Sequence, residues 1–358
     1  MNGPASVNGP ASVIGPAAVI CGLGAALPDR RVRNEEICAG LGVDADWIRS
    51  RTGICSRARA AAEVTTGDLA VQAGRRALAS SGNGQVDAVV LATITPDHRC
   101  PATAPAVAAR LGLPGVPAFD LAAACTGFLY GLQLAAGLIT LGAAARVLVI
   151  AADRIWSLTD PGDRVTAPLF GDAAAACVVR AGQAAEPGAL GPVVLAADGR
   201  DGSAIVAPHG GFLTMRGPQT FQHAVTRMSQ AAHQAVQAAG WELTGVDRFV
   251  PHQANARITA AVGRRLGLDD QRVLHHIEHV GNTSAASIPL TLSHAWATGR
   301  LRAGHRVLMA AFGAGLTWGA ATVVWPDLTP VGDHPGDGHP GDGCFNDDCF
   351  NDDHSRDD

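Results

Sequence analysis

The sequence contains no lysine, so all 27 of its Lys and Arg residues are arginines, and only 16% of its residues are charged. The formal net charge of −5 is unevenly distributed, because residues 333–358 contain nine aspartates and one arginine. The rest of the chain is therefore close to neutral. Proteins that bind nucleic acid need a basic patch or stripe that faces the phosphates. The composition therefore predicts no nucleic-acid partner.

The eight cysteines lack the spacing of a disulfide framework. Six of them are scattered through apolar or mixed segments, which is typical of a protein in a reducing compartment and predicts a cytoplasmic location. Cys344 and Cys349 lie in a repeated CFNDD segment near His334 and His339, but their spacing is not that of a zinc site. We therefore predict that the protein binds no metal ion.

A secretory signal is not expected, since the N-terminus has no basic region and consists of the near-repeats NGPASV, NGPASV and IGPAAV. One long uncharged run does occur, over residues 121–145. It is long enough to cross a membrane, but Tyr130, Gln133 and several glycines interrupt it, and a strand-like segment follows at once. An apolar helix is also expected at the centre of a large protein. We therefore predict a buried helix and no contact with a membrane.

Short β-branched segments alternate with alanine-rich segments along most of the chain, and this alternation is typical of an α/β fold. The predicted strands are 87–93, 116–120, 146–152, 174–180, 246–251, 306–311 and 320–325. The predicted helices are 66–81, 102–111, 125–142, 219–240, 254–266 and 286–299. The pattern indicates two similar halves, 17–187 and 188–327. The low-complexity tails, 1–16 and 328–358, are expected to be disordered.

One cysteine lies between a strand-like and a helix-like segment, in the sequence AFDLAAACTGF that begins at Ala118. This places Cys125 at a predicted helix N-terminus, where the macrodipole favours a thiolate and lowers the pKa of a thiol. A free cysteine is more often a small buried hydrophobic residue, and the segment alone leaves both roles open. The buried role is our interpretation of four others: Cys21, Cys38, Cys55 and Cys177.

Two later segments offer the partners that a nucleophilic cysteine requires. FVPHQAN ends a short apolar run with His252 before a predicted helix, so the imidazole can project into a cleft. GNTSAAS contains Asn282 beside Gly281, a pair that is also typical of a plain tight turn. Nucleophilic sites are usually assembled from residues far apart in the chain. We therefore predict that Cys125, His252 and Asn282 meet in the folded protein.

Seven segments, in this order, resemble the β-ketoacyl-[acyl carrier protein] synthase III family of the thiolase superfamily, over residues 17–326. They are WIRSRTGI from Trp47, AAACTGF from Ala122, DPGDR from Asp160, LFGD from Leu169, VPHQAN from Val250, GNTSAAS from Gly281 and FGAGLTWG from Phe312. The resemblance implies the thiolase fold, in which two pseudo-duplicated halves stack as five layers, αβαβα. The active site would lie at their junction.

The resemblance also implies catalytic roles. Cys125 would be acylated, and His252 and Asn282 would donate hydrogen bonds to a thioester carbonyl, which is oxyanion-type stabilisation. The backbone N–H groups of Cys125 and Ala314 would hold the acyl oxygen. The family more often has glycine at the position of Ala314. A backbone donor tolerates alanine there if φ is negative, but a positive φ would strain the site.

Binding residues follow from the same resemblance. The adenine ring of coenzyme A would lie between Trp47 and Arg164, although Trp47 could equally be a packing anchor. The complete coenzyme A site would comprise Trp47, Arg51, Arg164, Gly217 and Asn255. Three arginines on one face of the helix after His252 would bind the acyl carrier protein, with a solvated helix surface as the alternative. They are Arg257, Arg264 and Arg265.

The acyl pocket is expected to involve Cys100, Phe170 and Phe312. Cys100 stands where some acetyl-specific relatives have a large aromatic residue at the pocket floor. Because cysteine is smaller, a longer or branched acyl group is expected to fit. This residue would reach the pocket of the partner chain across the interface of a homodimer.

The reaction predicted from these residues is a decarboxylative Claisen condensation. An acyl-CoA acylates Cys125, malonyl-acyl carrier protein loses carbon dioxide, and the enolate attacks the acyl-cysteine to give a 3-oxoacyl-acyl carrier protein. No cofactor is expected, because the thioester supplies the leaving group and the electron sink. The alternatives are a priming synthase of a polyketide-type secondary pathway, a non-condensing acyltransferase of the same fold, and a non-enzymatic scaffold.

Overall fold

The computed structural model describes residues 16–328 and residue 331, so the predicted disordered tails, with the cysteines and histidines beyond position 331, lie almost entirely outside the described residues. The strands are β1 (Ala17–Ala26), β2 (Arg31–Arg33), β3 (Ser56–Ala58), β4 (Ala88–Ala92), β5 (Ala118–Leu121), β6 (Arg146–Arg154), β7 (Asp172–Gly182), β8 (Leu190–Ala197), β9 (Ile205–Val206), β10 (Thr214–Met215), β11 (Arg248–Pro251), β12 (Arg306–Gly313) and β13 (Thr317–Val324). The helices are α1 (Asn34–Leu41), α2 (Ala45–Thr52), α3 (Thr66–Ser80), α4 (Thr103–Arg110), α5 (Gly127–Thr140), α6 (Gly217–Ala238), α7 (Ala256–Arg265), α8 (Ile277–Val280) and α9 (Ser287–Ala297).

Two mixed sheets repeat the same pairing sequence. In the first sheet, with strand order β1-β7-β6-β4-β5, the first two pairs are antiparallel and the last two are parallel. In the second sheet, β8 and β13 pair antiparallel, β13 and β12 antiparallel, and β12 and β11 parallel. A single parallel bridge between Phe249 and Val273 stands where the fifth strand would be. The two halves of the chain therefore have the same topology.

Side-chain alternation along the strands produces the layers. In β6, Val147 and Val149 face the central core, whereas Leu148 and Ile150 face the outer one. The central core is shared by both sheets and by helices α5 and α9, which lie between them. Helices α3 and α4 cover the outer face of the first sheet, and α6 and α7 cover that of the second. The order of layers is therefore αβαβα.

Helix α5 accounts for the long uncharged run. Phe128, Leu129, Leu132 and Ile139 are each at most 1% exposed, because the helix packs between the two sheets. An all-round apolar helix is what such a position requires. Within residues 16–328, no helix has the length and apolar character needed to cross a membrane.

The sequence patterns do not predict β1 or β8. In β1, an added Cβ at Gly22 or Gly24 would lie 2.4 Å from a backbone atom of Ala77 in helix α3. Close contact between helix and strand therefore selects small residues here, against the usual preference of strands for β-branched side chains. β8 contains Pro192 and lies at the edge of its sheet, where a missing N–H is tolerated.

Candidate active site

Cys125 lies in the middle of a 3₁₀ turn, Ala124–Thr126, that joins β5 to helix α5. The turn begins with Ala124 at a φ of 45°, a left-handed conformation that is uncommon for a residue with a side chain. The thiol donates to the hydroxyl of Ser284, with Sγ 3.8 Å from Oγ. Such backbone strain is common where a fold must aim a side chain into a functional cavity.

Its position does not by itself activate the Cys125 thiol. Burial raises the pKa of the thiol to about 12, although the hydrogen bond with Ser284 acts in the opposite direction. The sequence predicts a lowered pKa for this thiol, and the structure gives a raised one, with burial as the main cause.

His252 directly follows β11, and its backbone N–H donates to the carbonyl of Ala310 at 2.7 Å. The residue is 2% exposed, and burial lowers the pKa of the imidazole to about 3, so the ring is neutral near pH 7. Ring nitrogen Nδ1 lies 2.6 Å from the hydroxyl oxygen of Ser287. When Ser287 donates to Nδ1, the ring proton is on Nε2, which can then donate a hydrogen bond into the cavity.

Asn282 is held by a parallel bridge to Phe170. Its N–H donates to the carbonyl of Leu169 at 2.8 Å, and its carbonyl accepts from the N–H of Gly171 at 3.0 Å. The side-chain Oδ1 accepts from the backbone N–H of Ser284 at 2.9 Å. Nδ2 is thereby left as the donor for a ligand. The LFGD and GNTSAAS segments thus form one unit that spans both halves of the chain.

The predicted oxyanion residue Ala314 follows β12 and borders the same cavity. Among the described non-glycine residues, only Ala124 and Ser284 have a positive φ, so Ala314 is unstrained. The preceding Gly313 lies against the turn of the nucleophile, since an added Cβ would be 2.8 Å from the backbone nitrogen of Cys125. Glycine allows the two backbones to approach this closely.

One cavity connects these groups. Cys125, His252 and Asn282 all line it, so the structure brings together the three residues predicted from distant segments. The predicted pocket residues Phe170 and Phe312 form part of its wall. The remaining lining residues are uncharged: Ile94, Ala124, Ile155, Ile205, Leu213, Met215, Thr220, Ala224, Met228, Ala254, Ile258, Ser284, Gly313 and Ala314. In such apolar surroundings, a hydrogen bond to a developing charge is stronger than in water.

Three of the five predicted coenzyme A residues are connected through Arg51. The Arg51 guanidinium carbon lies 4.7 Å from the centroid of the Trp47 ring, and Nδ2 of Asn255 donates to the carbonyl of Arg51 at 3.0 Å. Asn255 also begins helix α7, because its Oδ1 accepts from the N–H of Arg257 at 2.8 Å. Both polar ends of the Asn255 side chain are thus hydrogen-bonded within the protein.

The other two predicted coenzyme A residues lie on separate elements. Nε of Arg164 donates to the carbonyl of Leu41 at 2.6 Å, and Nη2 donates to that of Gly42 at 3.2 Å. The guanidinium thus stabilises the C-terminus of α1. Gly217 is the first residue of α6, and apart from its chain neighbours and its own helix backbone no atom lies within 4 Å of the place where its Cβ would be. The backbone at Gly217 is therefore open to approach.

The residues predicted for partner contacts are exposed. Arg257, Arg264 and Arg265 all lie on the surface of α7. Cys100 is exposed in the loop between β4 and α4 and does not line the described cavity of its own chain. Its predicted place in an acyl pocket therefore depends on a partner chain.

No group of three or more His, Cys, Asp and Glu side chains in the described part of the chain is arranged to hold a metal ion.

Three polar residues at the site are missing from the sequence-based assignment. Ser284 and Ser287 contact Cys125 and His252 respectively, and both belong to the GNTSAAS segment. Asp153 lies near the end of the otherwise apolar strand β6 and is 0% exposed. A charged residue that closes an apolar strand is an available sequence signal, because carboxylates are rarely buried without a role.

Comparison with known proteins relates this geometry to a family. Residues 119–199 match the family described as 3-Oxoacyl-[acyl-carrier-protein (ACP)] synthase III, and residues 236–325 match the description of its C-terminal part. Beta-ketoacyl-[acyl-carrier-protein] synthase III 2 of Streptomyces coelicolor is 50% identical over 315 residues, which cover 88% of this chain and 96% of that protein. The chain belongs to the β-ketoacyl-[acyl-carrier-protein] synthase III family. It is therefore an acyltransferase of the condensing type.

Solved structures show the same fold. The 3-oxoacyl-(acyl carrier protein) synthase III from Pseudomonas aeruginosa is 47% identical, with a TM-score of 0.86, over 88% of this chain and 100% of that chain. A priming β-ketosynthase from a polyketide biosynthetic pathway is 35% identical, with a TM-score of 0.83, over 88% of this chain and 98% of that chain. The thiolase fold and the family predicted from the seven segments are confirmed.

Proposed function

We propose that the protein condenses the acyl group of an acyl-CoA with malonyl-acyl carrier protein, giving a 3-oxoacyl-acyl carrier protein, carbon dioxide and coenzyme A. The observation that carries this proposal is the meeting of Cys125, His252 and Asn282 in one apolar cavity. A thiol nucleophile and two uncharged hydrogen-bond donors are what the two half-reactions need. No cofactor is required, because the thioester supplies the leaving group and the electron sink.

In the first half-reaction, the sulfur of Cys125 attacks the carbonyl carbon of the acyl-CoA. The new bond to Sγ forms, the bond to the coenzyme A sulfur breaks, and its electron pair leaves with coenzyme A. The N–H groups of Cys125 and Ala314 stabilise the oxyanion that develops. Close packing of Gly313 against Cys125 keeps these two backbone segments together.

In the second half-reaction, the malonyl thioester carbonyl accepts hydrogen bonds from Nε2 of His252 and Nδ2 of Asn282. Both side chains are already oriented, His252 by the Ser287 hydroxyl and Asn282 by the Ser284 N–H. They stabilise the enolate that forms as carbon dioxide leaves, and the enolate carbon then attacks the acyl-cysteine. None of the described lining residues is an arginine, so the malonyl carboxylate has no cation to hold it there, which favours its loss.

Coenzyme A would bind through Trp47, Arg51, Arg164, Gly217 and Asn255. The adenine ring needs a flat face, and one face of the Trp47 indole is covered by Arg51 in the free protein. Stacking between Trp47 and Arg164 therefore uses the other face or displaces Arg51. Gly217 offers an open backbone to the pantetheine arm.

Helix α7 is the proposed docking surface for the acyl carrier protein. It begins four residues after His252 and carries the exposed side chains of Arg257, Arg264 and Arg265. Cations beside a cavity steer an acidic partner towards it and fix its orientation.

A cytoplasmic homodimer is the proposed assembly. Strand β5 forms one edge of the first sheet, and its four residues are only half-buried in the single chain. Pairing of two such edges would cover them and bring the Cys100 loop towards the partner's pocket. The six described cysteines are free thiols, which suits a reducing compartment.

We place the division between the halves at residues 187 and 188, between β7 and β8.

A second candidate, priming of a polyketide-type pathway, uses the same chemistry with a different starter. It is favoured by the small side chain of Cys100 and by the similarity to a priming β-ketosynthase. Each methylene that an enlarged pocket buries contributes about 0.8 kcal/mol. Acyl groups of about four carbons, including branched ones, are therefore expected to load at least as well as acetyl.

Intact-mass measurement with a panel of acyl-CoAs tests the proposal. The expected result is one added acyl group, located on Cys125, which disappears as a 3-oxoacyl product forms after malonyl-acyl carrier protein is added. Absence of acylation by every acyl-CoA would overturn the proposed function. Competition between acetyl-CoA and isobutyryl-CoA addresses the starter, and exclusive loading of acetyl would exclude the enlarged pocket.

A further inference from the structure

The side chain of Gln253, the residue after His252, is buried and makes three hydrogen bonds with the backbone. It is 1% exposed. Its Nε2 donates to the carbonyl of Pro251 at 2.9 Å and to that of Leu274 at 3.2 Å. Its Oε1 accepts from the N–H of His276 at 3.1 Å. The carboxamide therefore joins the end of strand β11 to the neighbouring segment of the chain.

These bonds extend a short backbone pairing between β11 and residues 273–276. That pairing includes the bridge between Phe249 and Val273 and the bond from the N–H of Leu274 to the carbonyl of Phe249, at 2.9 Å. A carboxamide carries the same kinds of donor and acceptor as a peptide group, so the Gln253 side chain continues the pairing past the end of the strand. The backbone on either side of His252 is thereby tied to this segment.

Helix α9 completes a ring of contacts around the imidazole of His252. The rings of His276 and His294 lie with their centroids 4.0 Å apart, and His294 belongs to α9. Ser287 precedes His294 by seven residues, so the two lie on one face of the helix. The Ser287 hydroxyl oxygen is 2.6 Å from Nδ1 of His252. The histidine is therefore held through its ring by α9 and through its backbone by Gln253, and these two supports contact each other.

We propose that Gln253 is a positioning residue that keeps Nε2 of His252 directed at the malonyl thioester carbonyl. Gln253 is not among the residues that line the cavity, so it acts through His252. The inference rests on the proposed function and concerns its decarboxylation step alone, because the backbone donors that serve the acylation of Cys125 lie elsewhere. A donor that moves by about 1 Å can lose about two orders of magnitude in rate.

Gln253→Glu tests this role reversibly. An ionised carboxylate has no proton to donate and would face the carbonyls of Pro251 and Leu274, so two bonds are lost and replaced by repulsion. A protonated carboxyl group has one donor and one acceptor, which restores the bond to one carbonyl and the bond from the His276 N–H. Burial raises the pKa of a carboxyl group, so the protonated form returns as pH falls.

The measurement is carbon dioxide release from malonyl-acyl carrier protein by the full-length protein carrying Cys125→Ala, with and without Gln253→Glu. At about pH 8, Gln253→Glu is expected to lower the rate at least about tenfold. Its rate relative to the protein with Gln253 is expected to recover most of this loss at about pH 5. With Cys125 present, acylation by acyl-CoA, read by intact mass, should stay at the wild-type rate in Gln253→Glu.

Two further variants separate positioning from general loosening. Gln253→Met removes all three bonds at similar volume and should lower decarboxylation at both pH values. Arg272→Met is the matched control, because Arg272 directly precedes the same segment and its Nη1 donates to the carbonyls of Thr244 and Val246 at 2.8 and 3.1 Å. It also loses two bonds from a side chain to the backbone, but away from His252. It should keep both half-reactions.

Unchanged decarboxylation in Gln253→Glu and Gln253→Met would overturn the proposal. So would an equal loss of acylation, a similar loss in Arg272→Met, or a defect in Gln253→Glu that does not recover at low pH, since each indicates a structural role only. If Gln253→Glu does not fold, Gln253→Met decides, and equal loss of both half-reactions in it rejects positioning. Absence of decarboxylation in the Cys125→Ala protein that retains Gln253 would instead reject the proposed function, and this inference with it.

Discussion

The turn Ala124–Thr126 of the first half and the turn Ser284–Ala286 of the second half have the same backbone design. Each is a 3₁₀ turn whose first residue has a positive φ, 45° and 53° respectively, and each leads into a central helix, α5 or α9. The second residue is Cys125 in one turn and Ala285 in the other. Two polar residues, Asn282 and Thr283, directly precede the second turn, whereas none of the three residues before the first turn is polar.

This comparison shows how a duplicated fold acquires two chemical roles. The first turn itself carries the nucleophile Cys125, whereas in the second half the donor Asn282 belongs to the segment that leads into the turn. One half supplies the nucleophile. The other supplies uncharged donors, with His252 added from the end of β11.

Cys125→Ala should have the largest effect, because it removes the only thiol among the cavity-lining residues. Acyl-enzyme formation and condensation are expected to fall to the detection limit, while the fold is retained. The measurement is intact mass after incubation with acyl-CoA, with Cys177→Ala as the control for a buried cysteine outside the cavity. Acylation at another residue in Cys125→Ala would contradict the assignment of the nucleophile.

Gly313→Ala should impair the junction between the halves. The new Cβ would lie 2.8 Å from the backbone nitrogen of Cys125, so either the oxyanion element or the nucleophile turn must shift. We expect a loss of condensation of about two orders of magnitude, the scale for losing one oxyanion donor. Gly137→Ala in helix α5 is the control, because nothing lies within 4 Å of its added Cβ. Equal activity of the two variants would show that the close approach is unimportant.

The sequence predicts the parts of the fold and site that depend on patterns or on contiguous segments. The predicted strands 87–93, 146–152 and 174–180 are all present. They could be recognised because both faces of the first sheet are buried, so that each strand is a continuous apolar segment in the sequence. Strand β1 is not predicted, because close contact with α3 favours glycine there, and glycine is a poor indicator of a strand.

Other features depend on residues that are distant in sequence. The pKa of Cys125 is set by burial between two sheets, which no local segment contains. The contact of Ser284 with Cys125 and the position of Asp153 behind it also require the folded junction. The meeting of Cys125, His252 and Asn282 is predicted because nucleophilic sites are usually assembled from distant residues, and because each of the three lies in a segment typical of the family.

A smaller effect is expected for the pH dependence of decarboxylation, the step that depends on residues of the second half alone. The folded-state pKa of His252 is about 3, below its unfolded value, because burial disfavours the imidazolium. The neutral form therefore persists as pH falls through about 6.5, and decarboxylation by Cys125→Ala should stay nearly constant between about pH 8 and pH 5. Loss of rate with a midpoint near 6.5 would show that His252 is more exposed to solvent than the structure indicates.

The same shift has a consequence for stability. The unfolded chain takes up a proton at His252 below about pH 6.5 and the folded chain does not, so the contribution of this residue to stability is present above that pH and is lost as pH falls towards 3.

Ala124→Gly should have the smallest effect. It tests the backbone feature that both turns share, the positive φ of the first residue. Glycine relieves the left-handed strain at φ 45° but increases the flexibility of the unfolded chain. The free energy of unfolding is expected to rise by no more than about 1 kcal/mol, a shift in Tm of about 2 °C. Thermal unfolding measures it. A large fall in Tm would mean that the side chain of Ala124 contributes packing that outweighs its strain.

The division of labour between the halves is tested most directly by measuring both half-reactions in His252→Ala and Asn282→Ala. Acylation of Cys125 by acyl-CoA, read by intact mass, should remain close to wild type, because the nucleophile and its backbone donors lie elsewhere. Decarboxylation of malonyl-acyl carrier protein should fall by about two orders of magnitude or more, the scale for losing one oxyanion donor. A variant that lost acylation but kept decarboxylation would contradict the account.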